Sequence, residues 1–153
     1  MGMAKGVFSV VVLLNAFLLT ALLPFPVICG DTLQAGGRLY PEYFLESKNG
    51  VYSFIVQGNA AVNVIANNTE TLWTSDTGNH FGVGFFLMLN PNGAFYMYAM
   101  TGTNSFVAQM PLHTALCPSK TVPHVIMQND GNAVGYCKPG SDIFFQTGTS
   151  RGP

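Results

Sequence analysis

Three times along this chain a short β-prone run meets an Asx- or Gly-rich turn, a second run returns, and in two of the three an aromatic segment followed by small hydroxyl residues and Gly closes the unit. The first unit contains Phe54-Ile55-Val56-Gln57-Gly58-Asn59, followed by Leu72-Trp73-Thr74-Ser75-Asp76-Thr77-Gly78. The second contains Phe86-Leu87-Met88-Leu89-Asn90-Pro91-Asn92-Gly93, followed by Tyr96-Met97-Tyr98. The third contains Val125-Ile126-Met127-Gln128-Asn129-Asp130-Gly131, followed by Phe144-Phe145-Gln146-Thr147-Gly148-Thr149. A unit this small cannot bury an apolar face alone, so repeated units are expected to pack against one another around a shared core.

The strands themselves are marked by Val, Ile, Phe, Tyr and Thr in short runs bounded by Gly, Asn and Pro. The pattern predicts strands over Gly50–Gln57, Val62–Ala66, Thr71–Thr74, Phe85–Leu89, Ala94–Ala99, Val122–Gln128, Asn132–Tyr136 and Ile143–Gln146. No stretch beyond the first 30 residues carries a helical period. Many evenly spaced short strands point to an all-β sandwich, barrel or prism.

Residues 1–30 differ from the rest. Lys5 is followed by an apolar run from Val7 to Leu23, then Pro24 and Pro26, and the small residue Gly30. This reads as a secretory signal peptide, residues 1–30, cleaved after Gly30, with a single domain over 31–153. The run falls short of the roughly 20 residues that span a bilayer. The leader also contributes to the mean hydropathy of +0.31. Cleavage removes Cys29 and leaves Cys117 and Cys137. In an oxidising compartment that pair is expected to form a disulfide, worth about 3 kcal/mol by the chain-entropy relation. Removing Lys5 leaves a slight acidic excess, so no basic face is expected for nucleic acid or an anionic membrane.

The third unit carries the chemistry. Alternate positions from Gln128 give Gln128, Asp130, Asn132, Val134 and Tyr136. Strand geometry sends alternate side chains to one face, and Asp130-Gly131 favours a tight turn beside them. Hydrogen-bonding groups around one apolar contact suit a hexose, which presents hydroxyls at its rim and C–H bonds on its ring. This spacing resembles the Q-x-D-x-N-x-V-x-Y motif of the monocot mannose-binding lectins, the snowdrop-type bulb lectins, at all five defined positions. An ordinary hairpin with an Asn-Asp-Gly-Asn turn would account for Asp130, Gly131 and Asn132 but not for Gln128 and Tyr136 at their offsets.

The resemblance covers residues 31–153 and implies a β-prism II fold: three four-stranded antiparallel sheets with pseudo-threefold symmetry about an aromatic core. Trp73 resembles the tryptophan that ends each family repeat, Phe145 takes that place in unit three, and Phe106 is the nearest aromatic in unit two; all three are expected as core anchors. The resemblance further implies that Asp130 and Asn132 hold the axial 2-hydroxyl of mannose, Gln128 the 3-hydroxyl and Tyr136 the 4-hydroxyl, with Val134 against the ring. In that family the usual disulfide lies in the first repeat; here Ala60 stands where its first cysteine would be, so the Cys117–Cys137 bridge is not part of the resemblance.

In unit one the five positions fall on Gln57, Asn59, Ala61, Asn63 and Ile65, and in unit two on Asn90, Asn92, Ala94, Tyr96 and Tyr98. Both lose the carboxylate, whose charge-assisted hydrogen bonds are about twice as strong as neutral ones. From an affinity of about millimolar, such a loss would silence mannose binding in both units. His80, His113 and His124 lack metal-ligand spacing, no nucleophile-and-base set accompanies the serines, and no metal, cofactor or catalytic residue is expected. Asn67-Asn68-Thr69 is an N-glycosylation sequon on a predicted loop. Three readings stay open at this stage: a secreted or vacuolar lectin for mannose-containing glycans or glycoproteins, a storage protein of the same fold, and a subunit of a homo- or hetero-oligomer.

Overall fold

Val62, Val64 and Ala66 turn inward and are buried, while Asn63 and Ile65 between them are half-exposed, as expected of a strand with one face on a core. The same alternation builds the rest of the molecule. The computed structural model describes residues 27–28, 30–79 and 84–152, and these form thirteen strands and no helix. They are β1 (Val27–Ile28), β2 (Thr32–Gln34), β3 (Arg38–Leu39), β4 (Tyr43–Glu46), β5 (Tyr52–Val56), β6 (Val62–Ala66), β7 (Glu70–Thr74), β8 (Phe85–Leu89), β9 (Phe95–Gly102), β10 (Ser105–His113), β11 (Val122–Met127), β12 (Ala133–Lys138) and β13 (Asp142–Gln146).

Three four-stranded antiparallel sheets result, in the orders β4-β5-β6-β7, β10-β9-β8-β3 and β13-β12-β11-β2. The two-residue β1 adds a parallel strand to the edge of the first, pairing Val27 with Tyr43 and Ile28 with Phe44. The N-terminal segment knits the sheets together. β2 completes the third sheet against β11, β3 completes the second against β8, and β4 begins the first. Each places one buried leucine in the core: Leu33, Leu39 and Leu45. Of the expected leader, residues 1–26 and Cys29 lie outside the described residues.

At the centre each unit supplies one phenylalanine. Phe54, Phe95 and Phe145 meet with ring centroids 5.5–6.4 Å apart. Trp73 adds its edge to Phe145 at 6.5 Å. Buried aromatic rings in offset and edge-on contact stabilise beyond their area alone.

Phe106 departs from expectation. It is 38% exposed on β10, with the Arg38 guanidinium 4.7 Å above its ring. The register explains why. Val64 of unit one pairs with Trp73 and Gly135 of unit three with Phe145; the matching residue in unit two, Met97, pairs with Met110. Met110 therefore fills the anchor position and packs against the core. The β9–β10 hairpin is longer than its counterparts and bulged, which carries Phe106 toward its tip.

Cys117 and Cys137 form the expected disulfide, with Cα atoms 5.6 Å apart. It ties the loop after β10 to β12.

Candidate functional site

Gln128 to Asn132 form a closed turn between β11 and β12. The Gly131 N–H donates to the Gln128 carbonyl at 3.1 Å, and the Gln128 N–H to the Asn132 carbonyl at 3.0 Å. Asp130 Oδ1 accepts from the Asn132 N–H at 3.0 Å, which locks the turn from within. Gly131 sits at φ 89°, and a Cβ there would meet the Tyr52 ring at 2.8 Å, so both backbone and space demand glycine. Asn49 fixes the turn from behind: its N–H donates to Asn129 Oδ1 and its side-chain amide to the Asn129 carbonyl, both at 3.0 Å.

The five motif residues lie along the turn and β12 in different conditions: Gln128, Asp130 and Tyr136 are half-buried, Asn132 and Val134 buried. The Gln128 side-chain amide donates to the Tyr136 hydroxyl oxygen at 2.8 Å, leaving the Tyr136 proton and Gln128 Oε1 for a ligand. Asn132 is buried; its Oδ1 accepts from Thr147 Oγ1 at 3.0 Å and from the Gly148 N–H at 2.9 Å. Those two donors fix the amide orientation and turn Nδ2 away as a donor. Val134 is 2% exposed, between Ile126 and Gln146 in the register, so neighbouring strands leave little of it open to the ring contact expected from the motif. Ala133 faces the core, and a Cβ on Gly135 would meet the Phe144 ring at 2.6 Å.

The C-terminal segment joins the site as well, a contribution outside the sequence motif. Thr149 Oγ1 donates to the Gly131 carbonyl at 2.6 Å and the Arg151 N–H to the Asp130 carbonyl at 2.6 Å. The Ser150 hydroxyl donates to Asp130 Oδ2. Arg151 is anchored in turn by a two-pronged ion pair with Glu70, at 3.0 and 2.5 Å. The signal lay in the repeat. Ser75-Asp76-Thr77-Gly78 of unit one makes the same bonds: the Val62 N–H donates to Ser75 Oγ, Thr77 Oγ1 to the Ala60 carbonyl, and the Asn79 N–H to the Asn59 carbonyl. Ser150 takes the place that Gly78 holds in unit one.

Units one and two keep the turn without the carboxylate. Asn59 Oδ1 accepts from the Ala61 N–H at 3.0 Å, and Asn92 Oδ1 from the Ala94 N–H at 3.1 Å. A polar cleft of about 560 Å³ lies at unit one, and a more apolar one of about 600 Å³ at unit two. A cleft of about 460 Å³ flanks the third-unit turn, lined in part by Gln128, Asp130, Asp31 and Lys48. Asn67, in the sequon, is exposed on the turn between β6 and β7.

Of the histidines, His80 lies outside the described residues, and His113 packs against Phe144 and Phe145. His124 is buried and stacks on Tyr136, ring centroids 5.7 Å apart, with no hydrogen-bond partner for Nδ1. Burial, with a contribution from the nearby Lys138 charge, holds its imidazole below the ordinary value of 6.5. The unfolded chain therefore takes up a proton that the folded one refuses. Stability is expected to be level above pH 6.5 and to fall as pH drops below it. Glu70, lowered by its hydrogen bond from Arg151, acts only below its ordinary 4.5. Denaturant midpoints between pH 7.5 and 5 should show this decline, and His124→Phe should flatten it.

Solved structures share this architecture. The chain is similar to the Marasmius oreades lectin at 26% identity and a TM-score of 0.64, over 82% of this chain and 97% of that one. It is similar to a monomeric monocot mannose-binding lectin from Gastrodia elata at 22% identity and a TM-score of 0.64, over 78% and 98%. It is also similar to the Polygonatum cyrtonema lectin, solved in complex with a monomannoside, at 24% identity and a TM-score of 0.55, over 80% and 98%. No protein-family model matches the sequence, and no curated protein does. The fold is the β-prism II, with three four-stranded antiparallel sheets. The chain shares it with the monocot mannose-binding lectins, the family that the 128–136 motif resembles.

Proposed function

We propose that this chain is a carbohydrate-binding lectin that holds one terminal α-mannose in its third unit, as a binding protein without catalytic chemistry. The observation that carries the reading is the pairing of Asp130, a carboxylate on a rigid turn, with Asn132, whose Nδ2 is left as a donor by its Oδ1 bonds. One sugar hydroxyl can donate to the first and accept from the second. An axial 2-hydroxyl has that role in this reading, Gln128 Oε1 and the Tyr136 hydroxyl serve the 3- and 4-hydroxyls, and Val134 meets the ring with the little of it left open. Titration of the mature protein against an array of defined glycans tests it. Signal should follow terminal α-mannose. A protein that binds no mannoside, even as clustered ligand, is instead a storage or structural protein of this fold.

In this reading the sugar hydroxyl competes with the Ser150 hydroxyl for Asp130 Oδ2. Ser150→Gly copies Gly78 and frees that oxygen. The bond ends on a carboxylate but is exposed, so the low end for a bond to a charged group applies, about 1.5 kcal/mol, and mannoside affinity should rise by roughly tenfold. Unchanged affinity in calorimetry would show that Ser150 does not compete.

The leader supports entry into the secretory pathway, with the protein secreted or vacuolar and Asn67 open to glycosylation. Cleavage after Gly30 would remove β1 and leave the first sheet with its four antiparallel strands. Intact-mass analysis of protein from a secreting host should place the N-terminus at Asp31, within about two residues. A mass retaining residues 1–30 would contradict it.

A further inference from the structure

We propose that the second unit is a second carbohydrate site of different chemistry, in which Tyr96 is an aromatic platform for a gluco-configured pyranoside. Tyr96 occupies the position that Val134 holds in unit three. It lies between Met88 and Pro111 in the register and is half-buried, where Val134 is 2% exposed. Unit two thus replaces a nearly buried aliphatic side chain with a ring that reaches a cleft of about 600 Å³. That volume falls within the range usual for small-ligand sites.

The polar groups around this ring are sorted between structure and ligand. Asn90 has both side-chain atoms engaged: its Nδ2 donates to the Ala94 carbonyl at 3.0 Å and its Oδ1 accepts from the Tyr98 hydroxyl at 2.8 Å. Asn92 uses only Oδ1, on the Ala94 N–H. Among the described residues, Asn92 Nδ2 and the hydroxyls of Tyr96 and Thr114 have no protein partner, and all three residues line the cleft. No carboxylate lines it. The cleft therefore has no charged acceptor to favour an axial 2-hydroxyl, and its selectivity passes to the ring. A pyranose with equatorial hydroxyls presents a flat face of axial C–H bonds, the shape that packs on an aromatic ring. An axial hydroxyl interrupts that face.

The segment that brings Thr114 and Leu116 to the cleft is anchored just beyond it. The Cys117 N–H donates to the Asn92 carbonyl at 2.8 Å, and the disulfide to Cys137 anchors Cys117 to β12. Gly93, at φ 96°, lets the loop approach so closely that a Cβ would lie 2.8 Å from the Cys117 nitrogen. A cleft fixed before binding loses little entropy on taking a ligand.

This inference shares the lectin reading of the fold but uses neither Asp130 nor any other third-unit group. Cellobiose and methyl α-mannoside would be titrated against wild type, Tyr96→Ala, Tyr96→Phe and Asp130→Asn, with binding followed by ligand-observed NMR. Cellobiose should bind wild type and Asp130→Asn alike. It should weaken at least tenfold in Tyr96→Ala and only a few-fold in Tyr96→Phe, which keeps the ring. Mannoside binding retained by Tyr96→Ala would show that this variant folds; if it does not, the Tyr96→Phe comparison, with its retained cellobiose binding, decides. Wild type that binds mannoside but not cellobiose overturns this inference alone. Cellobiose binding lost in Asp130→Asn but kept in Tyr96→Ala would place the glucoside in unit three and also overturn it. Binding of neither sugar overturns the lectin reading with it.

Discussion

Replacing Asp130 by Asn should lower mannoside affinity by about 10- to 150-fold while leaving the fold intact, the 1.5–3 kcal/mol expected for a hydrogen bond to a charged group. The molecule already contains the control. Asn59 and Asn92 close the same turn through Oδ1 in units one and two, at 3.0 and 3.1 Å against 3.0 Å for Asp130. An asparagine at 130 can keep that bond. What it loses is the second carboxylate oxygen, the one that faces Ser150 and, in the proposed complex, the sugar hydroxyl. Calorimetry and a thermal melt on the same sample separate the two effects. An unchanged affinity would remove Asp130 from the site, and a lowered melting temperature would show that the charge supports the fold.

Phe145→Ala should destabilise the protein by about 3–5 kcal/mol, a large part of the 5–15 kcal/mol that holds a typical domain. Phe145 is 4% exposed and touches an aromatic from each other unit, Phe54 and Phe95, as well as Trp73 and His113. Removing it leaves a cavity where the three sheets meet, and none can close it alone. Phe106→Ala is the contrast. Its main losses are ring contacts with Phe86 and Tyr98 and the Arg38 cation–π pair, about 1 kcal/mol at an exposed site. Denaturant unfolding of both variants should rank them in this order. Equal losses would contradict the threefold aromatic centre.

The strands were legible where a hairpin carries its own turn chemistry. β5–β9 and β11–β13 were all anticipated, because Asx and Gly residues punctuate runs of β-branched and aromatic residues. β2, β3 and β4 were not, since strands of two to four residues have too little pattern of their own. Their partners β11, β8 and β5 impose them. β10 is absent from the predicted strands, and its Phe106 stands out only as the nearest aromatic in unit two. It contains Pro111, is largely exposed and pairs on one side with β9, so neither alternation nor propensity marked it.

The candidate site divides in the same way. Gln128, Asp130, Asn132, Val134 and Tyr136 were legible because a period of two and a tight turn are read directly from local spacing. The near-complete burial of Val134 was not, because it depends on packing from neighbouring strands rather than on its own position. The bonds from Thr147, Thr149, Ser150 and Arg151 were invisible to local pattern for a related reason. Those to the turn join residues 15 to 21 positions apart, from Thr147 with Asn132 to Arg151 with Asp130. Aligning the hydroxyl residues after Trp73 with those after Phe145 would have exposed them.

In the proposed function each chain holds one mannose, in the third unit. Calorimetric titration of the mature protein with methyl α-mannoside tests it most directly. The stoichiometry should be near one, and Asp130→Asn should abolish or strongly weaken the binding. A stoichiometry near three would show that Asn59 and Asn92 bind mannose without a carboxylate, and no binding at all would show that the intact motif does not make a mannose site.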